Sequence, residues 1–242
     1  VAQLPLGIIG IAIGTALLPN LARKISLGQD KEQNLMQEKA ILLVMLFAFP
    51  SAVALFYLSE LVIAVLFGYG AFIESDIIAT AKALKIYALA IPAFMMIKVL
   101  SPNFFARKDT KTPVIIGAFC AFINIILTWY FMNNFGFTGI AISLCIAGYL
   151  NAVLLFIIII KRSFYNCTKT FISLIIKIIF ATLCMFLILF ILDKMLLNVM
   201  PMSFKFSAIF KLILFMLIGL ISYFLFNYLL GIKKYFSSNS II

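Results

Sequence analysis

The chain has 242 residues, of which 65% are hydrophobic and only 11% charged, with a formal net charge of +11. Soluble domains are usually close to half apolar, so a chain this poor in charge cannot cover a water-exposed surface, and a bilayer is its natural solvent. Histidine is absent, which removes the Ser-His-Asp triad, the histidine general base and the usual zinc site. The basic residues sit at the ends of apolar runs rather than on a solvated face, which argues against nucleic acid as a partner.

Seven apolar runs follow one another, at 4–22, 41–58, 77–100, 112–132, 137–160, 171–192 and 206–230. Each is near the ~20 residues that cross about 30 Å of hydrocarbon. They are too long and too continuously apolar for barrel strands. The expected fold is therefore all-α, a polytopic membrane helical bundle of about seven transmembrane helices.

In the first run Gly7, Gly10 and Gly14 recur at steps of three and four, and Gly10 and Gly14 form a GxxxG pair. Small residues on one face let another helix approach closely, so helix packing is the plainer role and a helix lining a shape-changing cavity the sharper one. Pro5 and Pro19 bracket this helix and are expected to let its ends bend. A polar connector follows over 23–39. Pro50 lies inside the second run and predicts a kink. The stretch 61–67 is apolar but too short to span, which predicts an interfacial segment. The connector 68–76 carries two glycines and two acids.

The third run contains Lys82, Lys85 and Lys98. An ionisable residue at membrane depth is a functional candidate by default, set against snorkelling of a long side chain to the interface. Lys82 is about 9 Å of helix beyond Asp76 and Lys98 about 13 Å before Arg107, both within snorkelling reach. Lys85 is the deepest of the three by this measure. The charged connector 107–113 ends in Pro113, which suits the first turn of a helix.

Asn124 and Thr128 are four apart on the fourth run and share a face, within reach of Ser143 on the fifth. They predict an interhelical hydrogen bond or a cation site, and the lack of an accompanying carboxylate favours the hydrogen bond. Asn151 reads in the same way. The cysteines Cys120, Cys145, Cys167 and Cys184 form no CxxC pair and read as small apolar filler, so no metal and no cofactor is expected. A tight turn over 133–136, a basic connector over 161–169, a connector at 193–205 containing Pro201 and a polar tail after Gly231 complete the chain.

Charge predicts orientation. Arg23, Lys24, Lys31, Lys39, Arg107, Lys108, Lys111, Lys161, Arg162, Lys169, Lys233 and Lys234 follow the odd-numbered runs, whereas the alternate connectors hold only Lys194 and Lys205. Positive charge stays on the cytoplasmic side, so the chain is expected to begin outside and end in the cytoplasm. It starts at Val1 with no charged n-region before the first apolar run, which predicts upstream helices rather than a signal peptide.

Three stretches resemble the MurJ/MviN family of lipid II flippases. The first is Gln3-Leu4-Pro5-Leu6-Gly7, continuing through Gly14-Thr15 to Leu18-Pro19-Asn20-Leu21. The second comprises Leu66-Phe67, Tyr69-Gly70, Phe72, Asp76, Thr80 and Ala83-Leu84. The third runs Lys98-Val99-Leu100-Ser101-Pro102, Phe105-Ala106-Arg107, Asp109 and Lys111-Thr112-Pro113, so that Arg107, Asp109, Lys111 and Pro113 form a loop motif. The family has fourteen helices and belongs to a superfamily of multidrug, oligosaccharide-lipid and polysaccharide exporters. The resemblance implies helices eight to fourteen of such a protein. Residues 1–162 would form the C-terminal lobe of the core, and 163–242 two additional helices and a cytoplasmic tail. It implies a bacterial inner-membrane protein, no enzyme, that moves the lipid-linked peptidoglycan precursor lipid II between leaflets by alternating access. A cationic cavity would hold the diphosphate and the last two helices would shape a groove for the lipid tail. The main cavity arginines of the family fall before this chain begins, so Lys85, Lys98 and Lys82 remain as cavity candidates, and the partners implied are lipid II, membrane lipid and an N-terminal half. A polysaccharide-lipid exporter of the same superfamily and an unrelated secondary transporter are the competing readings. The third motif weighs against the former, and the lack of a visible internal repeat against the latter.

Overall fold

A computed structural model describes residues 1–197, 205–232 and 235 of the chain. Pro201, Lys233 and Lys234, used above for a connector and for orientation, lie outside the described residues. Among the described residues all regular structure is helical. The chain opens with a single turn α1 (Gln3–Pro5) and a π turn (Leu6–Gly10), then α2 (Ile11–Ser26), α3 (Asp30–Tyr57), α4 (Ser59–Phe67), α5 (Glu74–Phe105), α6 (Lys111–Phe135), α7 (Thr138–Lys161), α8 (Lys169–Leu197) and α9 (Lys205–Leu229). Seven helices are long and apolar enough to cross a membrane, and they correspond to the seven predicted runs. The short stretch predicted at the interface is α4.

The polar connector 23–39 proves to be mostly helix. Only residues 27–29 separate α2 from α3, turning on Gly28 at φ 66°. Residues 30–40 are polar in sequence yet continue the helix, because Gln33, Gln37, Glu38 and Lys39 are buried rather than solvated. A second departure concerns Pro19, which lies inside α2 instead of ending it; the helix runs on to Ser26.

The glycine face is also narrower than α-helical spacing predicts. A side chain at Gly10 would touch Met95 and Lys98, and a Cβ at Gly14 would stand 2.7 Å from the Lys98 carbonyl oxygen, but a Cβ at Gly7 would meet nothing within 4 Å. The π turn over Leu6–Gly10 takes up an extra residue and rotates Gly7 off the seam.

Prolines set how the helices join. A proline has no N–H, so the carbonyl four residues earlier loses its helical donor. Pro50 does this to Leu46, and the Tyr223 hydroxyl of α9 donates to the Leu46 carbonyl at 2.6 Å. Pro102 does it to Lys98, whose carbonyl is the group that Gly14 approaches. Near Pro92, the Tyr149 hydroxyl of α7 donates to the Leu89 carbonyl at 2.9 Å. In hydrocarbon an unpaired backbone carbonyl is costly, so the freed Leu46 and Lys98 carbonyls become contact points for neighbouring helices, whereas Leu89 lies one residue past the carbonyl that Pro92 frees. Helix α5 is central, packed against α2, α3 and α7, while α6 rests almost wholly on α7 and α8 and α9 pair beside α3. One apolar core joins α2, α3, α5 and the first part of α8; a second gathers α4, the first part of α5, and α8 with α9.

Candidate functional site

The predicted basic connectors come together at one end of the bundle. Gln33 Nε2 donates to the Phe164 carbonyl at 2.8 Å, and Asn34 exchanges two hydrogen bonds with the backbone of Asn166. Gln37 Nε2 donates to the Val99 carbonyl and Gln37 Oε1 accepts from Asn103 Nδ2, both at 3.2 Å. Arg107 donates to the Asn103 carbonyl at 3.0 Å and to Asn103 Oδ1, and its guanidinium lies 4.1 Å from the centre of the Phe164 ring. Gln37 and Asn103 are fully buried, so each depends on these partners alone.

The loop motif closes the same end. Asp109 accepts from the Thr112 amide at 3.0 Å and the Thr112 hydroxyl at 2.6 Å, which caps α6, and pairs with Arg162, the residue after α7, at 2.5 Å. The Thr112 hydrogen bonds, with Arg162 adding, hold the Asp109 carboxyl down at about 2. Lys111 begins α6 and is exposed, and Pro113 stands in its first turn as predicted. Arg107 and Asp109 thus serve closure and capping.

The opposite end is held differently. Lys85 Nζ stands 2.7 Å from Glu60 of α4, both partly exposed. Tyr57 donates to Asp193 Oδ2 at 3.0 Å, and the buried Lys211 of α9 pairs with Asp193 Oδ1 at 2.7 Å. Between this end and the middle of the bundle lies a cavity of about 610 Å³. It is lined by Val1–Gln3 and Leu6, by Ile63 and Phe67 of α4, by Leu144 of α7, and by a stripe of α5 comprising Thr80, Leu84, Tyr87, Ile91 and Phe94.

The three lysines are separated by this geometry. Lys98 follows Phe94 by one turn on the cavity stripe, with its stem beside Gly10, one turn beyond the lining residue Leu6. Its side chain is exposed. At 100° per residue Lys85 points about 140° and Lys82 about 160° away from the stripe centre. Lys85 is engaged by Glu60, and Lys82 is exposed on the far face.

Thr128 and Ser143 lie 2.6 Å apart and share a hydrogen bond between α6 and α7. Asn124 and Asn151 are not drawn into it; their side-chain oxygens are buried without a hydrogen-bond partner among the described residues. Among the described residues no group of three His, Cys, Asp or Glu is placed to hold a metal. Sequence reading missed Gln37, Glu38, Asn103, Tyr223 and Lys211. The available signal was the i, i+4 spacing of Gln33 with Gln37 and of Asn34 with Glu38, which continues a helix into the second run.

Seven helices long and apolar enough to cross a membrane, three of them with internal prolines, define a multi-pass membrane protein. The chain belongs to the MurJ lipid II flippase family, whose model, described as "Lipid II flippase MurJ", matches residues 1–214. It is 41% identical over 160 residues to a "Probable lipid II flippase MurJ" of Rhizobium tropici, covering 66% of this chain and 30% of that protein. It is 30% identical over 240 residues to one of Buchnera aphidicola subsp. Acyrthosiphon pisum, covering 98% of this chain and 47% of that protein. A solved structure titled "Lipid II flippase MurJ, inward closed conformation" superposes with a TM-score of 0.79 at 25% identity, over 96% of this chain and 45% of that one. The chain thus spans half or less of the length of these relatives.

Proposed function

We propose that this chain forms the C-terminal half of a lipid II flippase in the bacterial inner membrane. In this reading the basic end faces the cytoplasm and Val1 lies outside, with residues 1–162 as the core lobe and 163–242 as the two added helices and tail. The observation that carries it is the match to the family over residues 1–214 together with the superposition on less than half of a flippase. A polysaccharide-lipid exporter is not favoured, because the relatives compared carry the lipid II name.

The physics of the cargo fits the cavity. A lipid-linked diphosphate has an anionic head that must cross hydrocarbon and an apolar tail that stays in it. No bond is made or broken, so the protein needs no nucleophile or general base. It must replace the water of the head with fixed polar groups and then expose the head on the other side. Lys98 lies one turn beyond Phe94, in line with the stripe that lines the cavity, and in this reading its ammonium meets a diphosphate as a strong charge-assisted partner. Lys85 contributes less in this account, since Glu60 offsets its charge.

The experiment depletes a host cell of its own lipid II flippase and measures lipid II exposure on the outer leaflet. This chain joined behind the first half of the Rhizobium tropici relative should restore exposure, and the chain alone should not. Restoration by the chain alone, or failure of the joined protein at normal membrane levels, contradicts the proposal. Orientation is checked with single cysteines at Gln29 and Ser75 and an impermeant thiol reagent on intact spheroplasts. Ser75 should label and Gln29 should not.

A further inference from the structure

The mechanism above makes no use of Glu38, yet this carboxylate is 2% exposed in α3. Its oxygens collect three hydroxyl donors from two other parts of the chain. Thr168 donates to Oε2 at 2.9 Å, Tyr165 to Oε2 at 3.4 Å and Tyr235 to Oε1 at 2.7 Å. Tyr165 and Thr168 belong to the linker between α7 and α8, and Tyr235 follows α9. Thr168 in turn accepts the Phe171 amide at 3.0 Å, so the hydroxyl on the carboxylate is also the cap of α8.

The arrangement suits an acceptor-only group. A carboxylate only accepts, with about four lone-pair sites, and three donors fill most of them. An amide in its place would put a donor among donors and weaken the bonds it meets. Burial, and then the Glu38 charge, push the Tyr165 and Tyr235 hydroxyls well above their usual range, as expected for phenols that stay protonated donors here. Cys167 also lies near the site, with its thiol raised by burial and by the Glu38 charge, and the next residue of α3, Lys39, is buried.

The location gives the cluster its meaning. The α8–α9 pair meets α3 at three heights: Glu38 at the basic end, the Leu46 carbonyl held by Tyr223 in the middle, and Tyr57 on Asp193 at the opposite end. Only the first of these draws on the segments that flank the pair, namely the linker before α8 and the residue after α9. We propose that Glu38 is a charge-dependent latch that, beside the Gln33 and Asn34 ties to the linker, fastens both segments to α3, so that neutralising it loosens the flanks of the α8–α9 pair at this end of the bundle. The latch is independent of the flippase reading, because its test reads structure and not transport.

The test is hydrogen–deuterium exchange of the full chain in detergent micelles, resolved by peptide. Glu38→Gln keeps the shape and removes the charge, and Glu38→Asp keeps the charge and shortens the stem. Exchange of linker residues 163–171 should rise about tenfold in Glu38→Gln, the size expected when hydrogen bonds to a charged group are lost. Glu38→Asp should rise less, and α5 and α7 should not change in either. Unchanged linker exchange in Glu38→Gln, or faster exchange in Glu38→Asp than in Glu38→Gln, overturns the latch. If Glu38→Gln loosens the whole bundle, Tyr235→Phe decides: it deletes one donor and no charge, and it should quicken exchange at the end of α9, residues 228–232, alone. No local change there overturns the proposal as well.

Discussion

At the basic end, buried amides and a guanidinium are tied to backbone groups and to one another across α3, α5 and the α7–α8 linker. At the opposite end, the polar contacts are a few ion pairs around Glu60 and Asp193, and next to them the helices part to leave the cavity. The first end is bound by many directional bonds that fail together. The second is bound by charges of which Glu60 and Lys85 are partly in solvent, where an ion pair contributes little. A helical bundle built in this way has one firm end and one end whose helices can separate at small cost.

The largest expected effect comes from breaking the firm end. Asn103→Leu removes the partner of Gln37 and of Arg107, and each buried polar group so orphaned costs about 1–3 kcal/mol. Thermal unfolding of the purified chain should fall accordingly, and a midpoint equal to wild type would remove the network from the account. Gly14→Val comes next, since its Cβ stands 2.7 Å from the Lys98 carbonyl oxygen and backbone cannot yield as a side chain does. A loss of about 1–3 kcal/mol is expected for such overpacking. Gly7→Ala, which meets nothing, should stay within about 0.5 kcal/mol, and the same assay separates the two.

Tyr223→Phe is expected to cost about 1–3 kcal/mol, because it leaves the carbonyl freed by Pro50 without a donor. Pro50→Ala should restore a helical partner, so the two substitutions together should cost less than their sum; strict additivity in a double-mutant cycle speaks against the tie. The smallest effect follows pH. The Asp109 carboxyl is held below its ordinary 3.8, at about 2. A depressed carboxylate stabilises fully above its unfolded value and loses that contribution as pH falls through the folded one. Protection at the start of α6, relative to the intrinsic exchange rate at each pH, should therefore fall between about pH 4 and pH 2, and Asp109→Asn should abolish that step.

The spans and their alternation were legible because hydropathy over about 20 residues is set by the solvent and needs no knowledge of partners. The start of α3 was not. Gln33, Gln37 and Glu38 look like a solvated connector, and what buries them lies in Val99, Asn103 and the 164–168 linker, far away in sequence. The same limit applies to Lys85. Its depth along a helix follows from counting residues, but Glu60 comes from another element and no spacing rule announces it. Gly7 misled for a local reason, since a π turn adds a residue to the repeat without a signature in composition. Thr128 with Ser143 was readable because both lie on consecutive helices joined by a short turn.

The central claim is that Lys98, in line with the cavity stripe of α5, and not Lys85, paired with Glu60, meets the anionic head. The direct measurement is outer-leaflet lipid II exposure in flippase-depleted cells carrying the joined protein, with Lys98→Ala and Lys85→Ala compared at matched membrane levels. Loss of a charge-assisted contact predicts about a tenfold fall for Lys98→Ala and a much smaller change for Lys85→Ala. Wild-type exposure with Lys98→Ala, or a deeper loss with Lys85→Ala, would contradict it.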